Sequence, residues 1–224
     1  MARKTKEEAA ATRESILMAA LDLFTEKGYS STTLVNIAKR IGMTRGAVYW
    51  HFENKEALLA ALIDHVHELK EEAVHSQVSN IQTIEDLRTA CVVYAQMVEN
   101  DPVVHKFEFF MMYQMEWSEE LLEKTKRNMH ELRENPLNVF REHFNQPEII
   151  ARIKLGIDVD HLVLTLASFW IGACKICLGC HFPDSEFSKE DGVVTGTGIS
   201  FVKTVERGFD LIMSGVLKEE SGNE

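Results

Sequence analysis

Residues 33–52 read TLVNIAKRIGMTRGAVYWHF and predict two short helices joined by a tight turn. Gly42 can adopt the left-handed conformation that ends a helix, and apolar residues recur at helical spacing on both sides of it. Thr44 is a residue type that caps helices, and it opens the second one, Arg45–His51. Two such helices around a glycine turn are a helix-turn-helix pattern. The inward positions that would hold them at an angle are Leu34, Ile37, Ile41, Val48 and Phe52.

The second of these helices carries side chains suited to DNA. Its outer face holds hydroxyl groups, a cation, aromatic rings and a glycine that lets backbone come close, at Thr44, Arg45, Gly46, Tyr49, Trp50 and His51. Arginine reads guanine in the major groove, and apolar edges touch the thymine methyl group. Lys55, at the start of the next helix, is placed for a phosphate, helped by the helix dipole. Packing roles stay open for two of them: His51 as a cap or a packed side chain, and Trp50 against the helix that begins near Lys55.

Outside this segment the sequence stays helical. An all-β sandwich needs a turn signal about every 8–12 residues, whereas no glycine occurs between Gly46 and Gly156. Apolar residues recur at helical spacing through most of the chain. We therefore predict an all-α protein, including one long helix from Ser118 to Phe144.

Charge divides the chain unevenly. The net charge is −11, which taken whole argues against a nucleic-acid binder. Residues 1–55 nevertheless carry +3, and the remainder carries −14. A mildly basic head on an acidic body indicates an anion-binding domain joined to a domain with another task.

Several classes of protein are disfavoured. The charged N-terminus lacks the apolar core of a secretory signal, so we expect a cytoplasmic protein with reduced cysteines. The uncharged run Leu162–Cys174 is too short to span a bilayer and predicts a buried core helix. No nucleotide-binding glycine motif, nucleophile elbow or zinc-protease motif occurs. We expect neither enzymatic chemistry nor a cofactor.

The N-terminal residues resemble the TetR family of transcriptional regulators. The matching residues are Phe24, Gly28, Thr32–Leu34, Ile37–Ala38, Gly42, Thr44–Tyr49, His51–Phe52 and Asn54–Glu56. The string TRGAVYWHFENKEALL is most similar to the AcrR-like repressors of multidrug efflux pumps. The similarity is dense over residues 3–65 and thin beyond residue 80.

This resemblance implies a three-helix DNA-binding domain in residues 1–55 and a helical ligand-binding and dimerisation domain in residues 56–224. It implies a homodimer that pairs through its last two helices and binds a palindromic operator until a small hydrophobic inducer releases it. DNA contacts would fall at Thr33, Thr44, Arg45, Gly46, Tyr49, Trp50, His51 and Lys55. Of these, Arg45 and Tyr49 would meet bases, while Thr33 and Lys55 would meet phosphates.

Aromatic and sulfur-containing side chains in the body predict an inducer pocket. The first candidates share one helical stripe at Phe107, Phe110, Met111 and Met115, and further candidates are Phe140, Phe144, Phe169 and Trp170. Ordinary core packing is the alternative for each of them singly. The acidic charge fits a cationic inducer, and it fits equally a role in solubility.

A cysteine cluster provides a second hypothesis. On a helix Cys174, Cys177 and His181 share one face and could hold a thiophilic metal or sense oxidants; Cys180 lies beside them and Cys91 far away in sequence. Close packing at a helix seam is the simpler explanation. A third hypothesis is a structural DNA-binding protein without a ligand.

Overall fold

The computed structural model describes residues 6–128, 136–179 and 200–218. Within those ranges the chain is helical apart from turns and a single antiparallel bridge between Ile153 and Leu217. The predicted all-α class is confirmed. The helices are α1 (Lys6–Lys27), α2 (Leu34–Arg40), α3 (Arg45–His51), α4 (Lys55–Gln77), α5 (Ile84–Asn100), α6 (Pro102–Phe109), α7 (Glu119–Asn128), α8 (Pro136–Phe144), α9 (Pro147–Ile150), α10 (Val159–Gly179) and α11 (Phe201–Val216), and a π-helical turn, Phe110–Gln114, extends α6.

Side-chain caps fix the two helices of the helix-turn-helix. The Thr33 hydroxyl accepts a hydrogen bond from the Asn36 backbone N–H (3.2 Å), and the Asn36 side chain accepts one from the Thr33 N–H (3.1 Å). Thr44 caps α3 by accepting from the Ala47 N–H at 3.2 Å. Gly42, with φ of 67°, follows α2 in the left-handed conformation. Each such cap contributes about 1 kcal/mol to helix stability, so local chemistry sets these boundaries.

Backbone packing divides the chain into two compact units. The first comprises Met1–Leu69 and Pro102–Leu132, and the second Lys70–Asp101 and Arg133–Glu224. Helices α6 and α7 thus pack in the same unit as α1–α3. The functional boundary between residues 55 and 56 stays a prediction.

The first unit is built on contacts between α1, α2, α3 and α6. The Phe24 and Phe110 rings are both fully buried and stack with centroids 5.1 Å apart and planes 20° from parallel. Lys106 on α6 forms an ion pair with Asp22 on α1 at 2.6 Å. Further fully buried side chains are Ile16, Leu17, Leu21, Ile37, Leu58, Leu59 and Leu62. The α6 helix is therefore held to the N-terminal helices by both apolar and charged contacts.

The second unit packs α5, α8, α10 and α11 around one apolar core. Its buried members are Ile84, Leu87, Phe144, Ile149, Ile153, Leu162, Val163, Leu166, Phe209 and Met213. Arg88 on α5 binds Asp210 (2.6 Å) and Glu206 (2.9 Å) on α11, and these carboxylates raise the pKa of the guanidinium. A Cβ atom at Gly208 would overlap the Phe169 ring, so this glycine permits α10 and α11 to lie close together.

The expected single helix from Ser118 to Phe144 stays a prediction, because the described residues hold only its two ends, α7 up to Asn128 and α8 from Pro136. Ser118 does begin α7, because its hydroxyl accepts from the Leu121 N–H at 3.1 Å. Residues 129–135 lie outside the described ranges.

The apolar run Leu162–Cys174 belongs to a longer helix than the run itself. Helix α10 has 21 residues, and by length and composition it is apolar enough to cross a bilayer, a property that buried core helices share. In the second unit it packs against α8 and α11, with 39% of its apolar window buried, so the core interpretation accounts for only part of its surface.

Candidate nucleic-acid interface

Helix α3 exposes the side chains that the sequence assigned to its outer face. Val48 is fully buried and anchors the helix, while Thr44, Arg45, Gly46, Tyr49 and Trp50 are exposed and His51 is half-buried. The inward positions Leu34, Ile37 and Phe52 are buried as predicted, and Ile41 is half-buried. One face of a short, capped helix therefore presents polar, cationic and aromatic groups together.

Two aromatic contacts organise this face. The Arg45 guanidinium lies over the Tyr49 ring, 4.9 Å from its centroid, a cation–π geometry that restrains the arginine. The Trp50 ring meets His51 edge-on at 4.6 Å and remains 73% exposed. Tyr49 and Trp50 are thus held in place while their rings stay exposed, which leaves these two rings accessible to another molecule.

Lys55 has a different environment from the one expected. Its ammonium donates hydrogen bonds to the backbone carbonyls of Tyr29 (2.7 Å), Thr32 (3.0 Å) and Ser30 (3.5 Å). It also lies 4.1 Å from the centre of the Tyr29 ring. Partial burial lowers the pKa of Lys55 and raises that of the Tyr29 phenol. The sequence predicts that this ammonium contacts a phosphate, whereas in the structure it donates hydrogen bonds to backbone carbonyls of the protein itself.

The stripe predicted first for the inducer pocket lies in the first unit. Phe107 and Phe110 are buried, and Phe110 stacks on Phe24 of α1, whereas Met111 and Met115 are half-buried. For Phe110 the core alternative is therefore the one that the geometry favours. A side chain that has no exposed surface and already stacks on an aromatic ring has little surface with which to contact a ligand.

The remaining pocket candidates lie in the second unit. Phe140 packs against the apolar core, in which Phe144 is fully buried. Trp170 meets Tyr94 at 6.1 Å and Phe201 at 5.3 Å, both edge-on. The structure thus divides the predicted set between two units.

The second unit contains a cavity of about 360 Å³ between α10 and α11. It is lined by Ser168, Phe169, Gly172, Ala173, Ile176, Cys177 and Thr204. Phe169 is the one pocket candidate from the sequence among these residues. Cys177 was predicted only as a possible metal or oxidant ligand, and the other five carry no recognisable ligand signal in the sequence.

The described cysteines, Cys91, Cys174 and Cys177, form no disulfide. Cys174 and Cys177 are buried, and burial raises the pKa of Cys91 to about 12, which makes it a poor thiolate. Among the described residues, no group of three or more His, Cys, Asp or Glu side chains could hold a metal. Cys180 and His181 lie outside those residues, so the metal or oxidant hypothesis stays a prediction.

Comparison with known families decides the class of this helix-turn-helix. Residues 16–62 match the model for bacterial regulatory proteins of the tetR family. This region is a helix-turn-helix domain of the TetR family. Members of that family regulate transcription and are not enzymes, in agreement with the sequence analysis.

Curated TetR-family relatives match the N-terminal part of the chain most closely. The regulator TtgR of Pseudomonas putida is 53% identical over 68 residues, which are 30% of this chain and 32% of TtgR. A probable acrEF/envCD operon repressor of Escherichia coli is 32% identical over 124 residues, or 54% of this chain and 56% of the repressor. The chain therefore spans about a third of the first relative's length and about half of the second's.

The structural similarity extends over nearly the whole chain. NalD, the secondary repressor of the MexAB-OprM multidrug efflux pump in Pseudomonas aeruginosa, superposes with a TM-score of 0.73 at 25% identity. The alignment covers 96% of this chain and all of NalD. Low sequence similarity beyond the N-terminal region thus coexists with a shared TetR-family fold.

Proposed function

We propose that this TetR-family protein is a cytoplasmic, ligand-responsive repressor that binds a palindromic operator as a homodimer and is released by a small hydrophobic inducer. The observation that carries the proposal is the α3 face, where Arg45 and Tyr49 form an exposed, ordered pair. The names of the E. coli relative and of NalD, both repressors, support control of an efflux or related defence operon.

The proposed DNA contacts follow from the position of each side chain on the helix-turn-helix. Arg45 would pair with a guanine edge and Tyr49 with a neighbouring base, while the N-terminus of α2 at Thr33 would meet a phosphate. Two recognition helices about 34–36 Å apart would read successive major grooves of one palindrome. The remaining proposed contacts on α3 are Thr44, Gly46, Trp50 and His51.

Dimerisation is proposed through α10 and α11. Both helices expose large apolar side chains, at Leu164, Ile171, Ile176 and Leu211, on a unit whose core is already complete. Large exposed apolar patches are typical of protein interfaces, and these side chains supply apolar surface on both helices. Pairing of these faces would bring two copies of the second unit together.

The inducer is proposed to act by population shift. It would bind the second unit, where Phe169 and small side chains line the cavity, and it must prefer the dimer spacing that does not fit DNA. A coupling of about 1–3 kcal/mol between the two sites is typical of such linkage. A cationic inducer would in addition gain from the acidic charge of residues 56–224.

The test is a footprinting titration on the DNA flanking the gene, with and without hydrophobic drugs. We expect protection of an inverted repeat by the dimer and its loss on addition of an inducer. Low-specificity binding with no drug response would instead favour a structural DNA-binding protein. Metal analysis under reducing conditions tests the remaining alternative, because bound metal would indicate a sensor.

Replacing Ile171 with Glu should weaken dimerisation about tenfold or more, because a charge would be buried unpaired in the interface. Sedimentation and footprinting at matched concentrations measure the change in mass and in operator affinity. Leu155→Glu is the control, since Leu155 is fully exposed on the loop before α10. Equal effects of the two substitutions would contradict the proposed interface.

A further inference from the structure

The turn between α1 and α2 is tied to the first residue of α4 by one side chain. The Lys55 ammonium has three protons and meets three carbonyl oxygens, those of Tyr29, Ser30 and Thr32. The aromatic face of Tyr29 covers the same ammonium at 4.1 Å. All three protons of the ammonium are thus directed at backbone carbonyl oxygens. Lys55 could therefore bind a phosphate only if it lost hydrogen bonds to the turn.

The turn is also ordered from within. Gly28 has φ of 80°, and the buried Thr32 hydroxyl donates toward the Gly28 carbonyl at 2.9 Å. The Thr32 N–H donates to the Tyr29 carbonyl at 3.1 Å, so this oxygen accepts from both Thr32 and Lys55. The next residue is Thr33, the cap of α2. Any shift of the turn therefore moves the start of α2.

The other end of the tie is anchored as well. Asn54 caps α4, its side chain accepting from the Ala57 N–H at 2.7 Å and its carbonyl accepting from the Leu58 N–H at 3.2 Å. Leu58 is fully buried, which fixes the first turn of α4 in the core. Lys55 therefore extends to the α1–α2 turn from a helix end that is fixed in the core.

We propose that Lys55 is a positioning residue for operator binding: it holds the Tyr29–Thr33 segment so that the N-terminus of α2 meets the DNA backbone, and it does not itself neutralise a phosphate. This inference rests on the proposed operator binding. It assigns Lys55 a role opposite to the phosphate contact expected from the sequence, and the two roles differ in a measurable way.

The distinguishing measurement is the salt dependence of binding. Each lysine that neutralises a phosphate contributes about 0.9 to the slope of log K against log salt concentration, so the two Lys55 residues of a dimer would contribute about 1.8. We expect Lys55→Met to weaken operator binding about tenfold or more, at a temperature where circular dichroism shows it folded, with an unchanged slope. A slope reduced by about 1.8 would overturn the proposal in favour of a phosphate contact.

The same experiment tests whether Lys55 serves only the stability of the protein. If it does, folded Lys55→Met will bind the operator with wild-type affinity, and that result would also overturn the proposal. Lys39→Met is the charge-matched control, because Lys39 is exposed on α2. An equal loss of affinity in this control would assign the effect to net charge and contradict a specific role for Lys55.

A readout on free protein separates this inference from the proposed function. Hydrogen exchange at the Thr32 and Asn36 amides should quicken in Lys55→Met and stay unchanged in Lys39→Met. Unchanged exchange in both variants would show that Lys55 does not hold the turn in place, and it would overturn the proposal whether or not DNA binds. Failure of the wild-type protein to protect any inverted repeat would instead refute the proposed operator binding.

Discussion

Replacing Phe110 with Ala should lower the free energy of unfolding by about 3–5 kcal/mol, as expected for a large aromatic side chain removed from a core. The Phe110 ring has no exposed surface and stacks on Phe24 at 5.1 Å, so truncation leaves a cavity beside α1. Denaturant unfolding followed by circular dichroism measures the change. The loss should occur equally with and without an inducer, because the ring packs against protein.

Phe109→Ala is the matched control for this substitution. Phe109 is the adjacent residue of the same type, but it is half-buried and its ring partner is Tyr113 at 5.2 Å. Its truncation should cost clearly less. An unchanged unfolding midpoint for Phe110→Ala, together with a lost inducer response, would contradict the core assignment and restore Phe110 to the pocket.

Arg45→Ala should weaken specific operator binding by about 1–3 kcal/mol, roughly 5- to 150-fold, and relax the preference at one base position. The guanidinium is exposed and held over the Tyr49 ring, so its loss removes a base contact and unsettles the neighbouring aromatic group. Footprinting titrations over operators changed one base pair at a time measure both effects.

The control for Arg45 is another arginine of the helix-turn-helix. Arg40 on α2 carries the same charge, but its guanidinium forms a two-pronged ion pair with Glu26 on α1. Arg40→Ala should therefore change affinity little and leave base preference intact. Unaltered affinity and preference in Arg45→Ala would remove this residue from base recognition.

Helix α3 could be predicted from sequence because its determinants are local. Thr44 caps α3 through a residue three positions away, and Gly42 ends the preceding segment through its own φ angle. Val48 is buried because helical periodicity places it inward. In each case the physical cause lies within a few residues of its effect.

Features that depend on distant parts of the chain could not be predicted. Lys55 meets carbonyl groups 23 to 26 residues away, and nothing in its sequence neighbourhood distinguishes it from a phosphate-binding lysine. Phe110 has the composition of a pocket residue, but its partner is Phe24. Aromatic side chains serve cores and pockets equally well, so only the fold separates these roles.

The placement of tryptophan gives the molecule its own optical reporters. The chain has three tryptophans, of which Trp50 is 73% exposed on α3 and Trp170 lies among the aromatic rings of the second unit. Indole emission depends on contact with water, so a bound duplex would alter the first signal and a bound drug the second. Replacing Trp117 with Phe would leave one fluorophore in each unit, and a single stopped-flow trace could then time both events without any added dye.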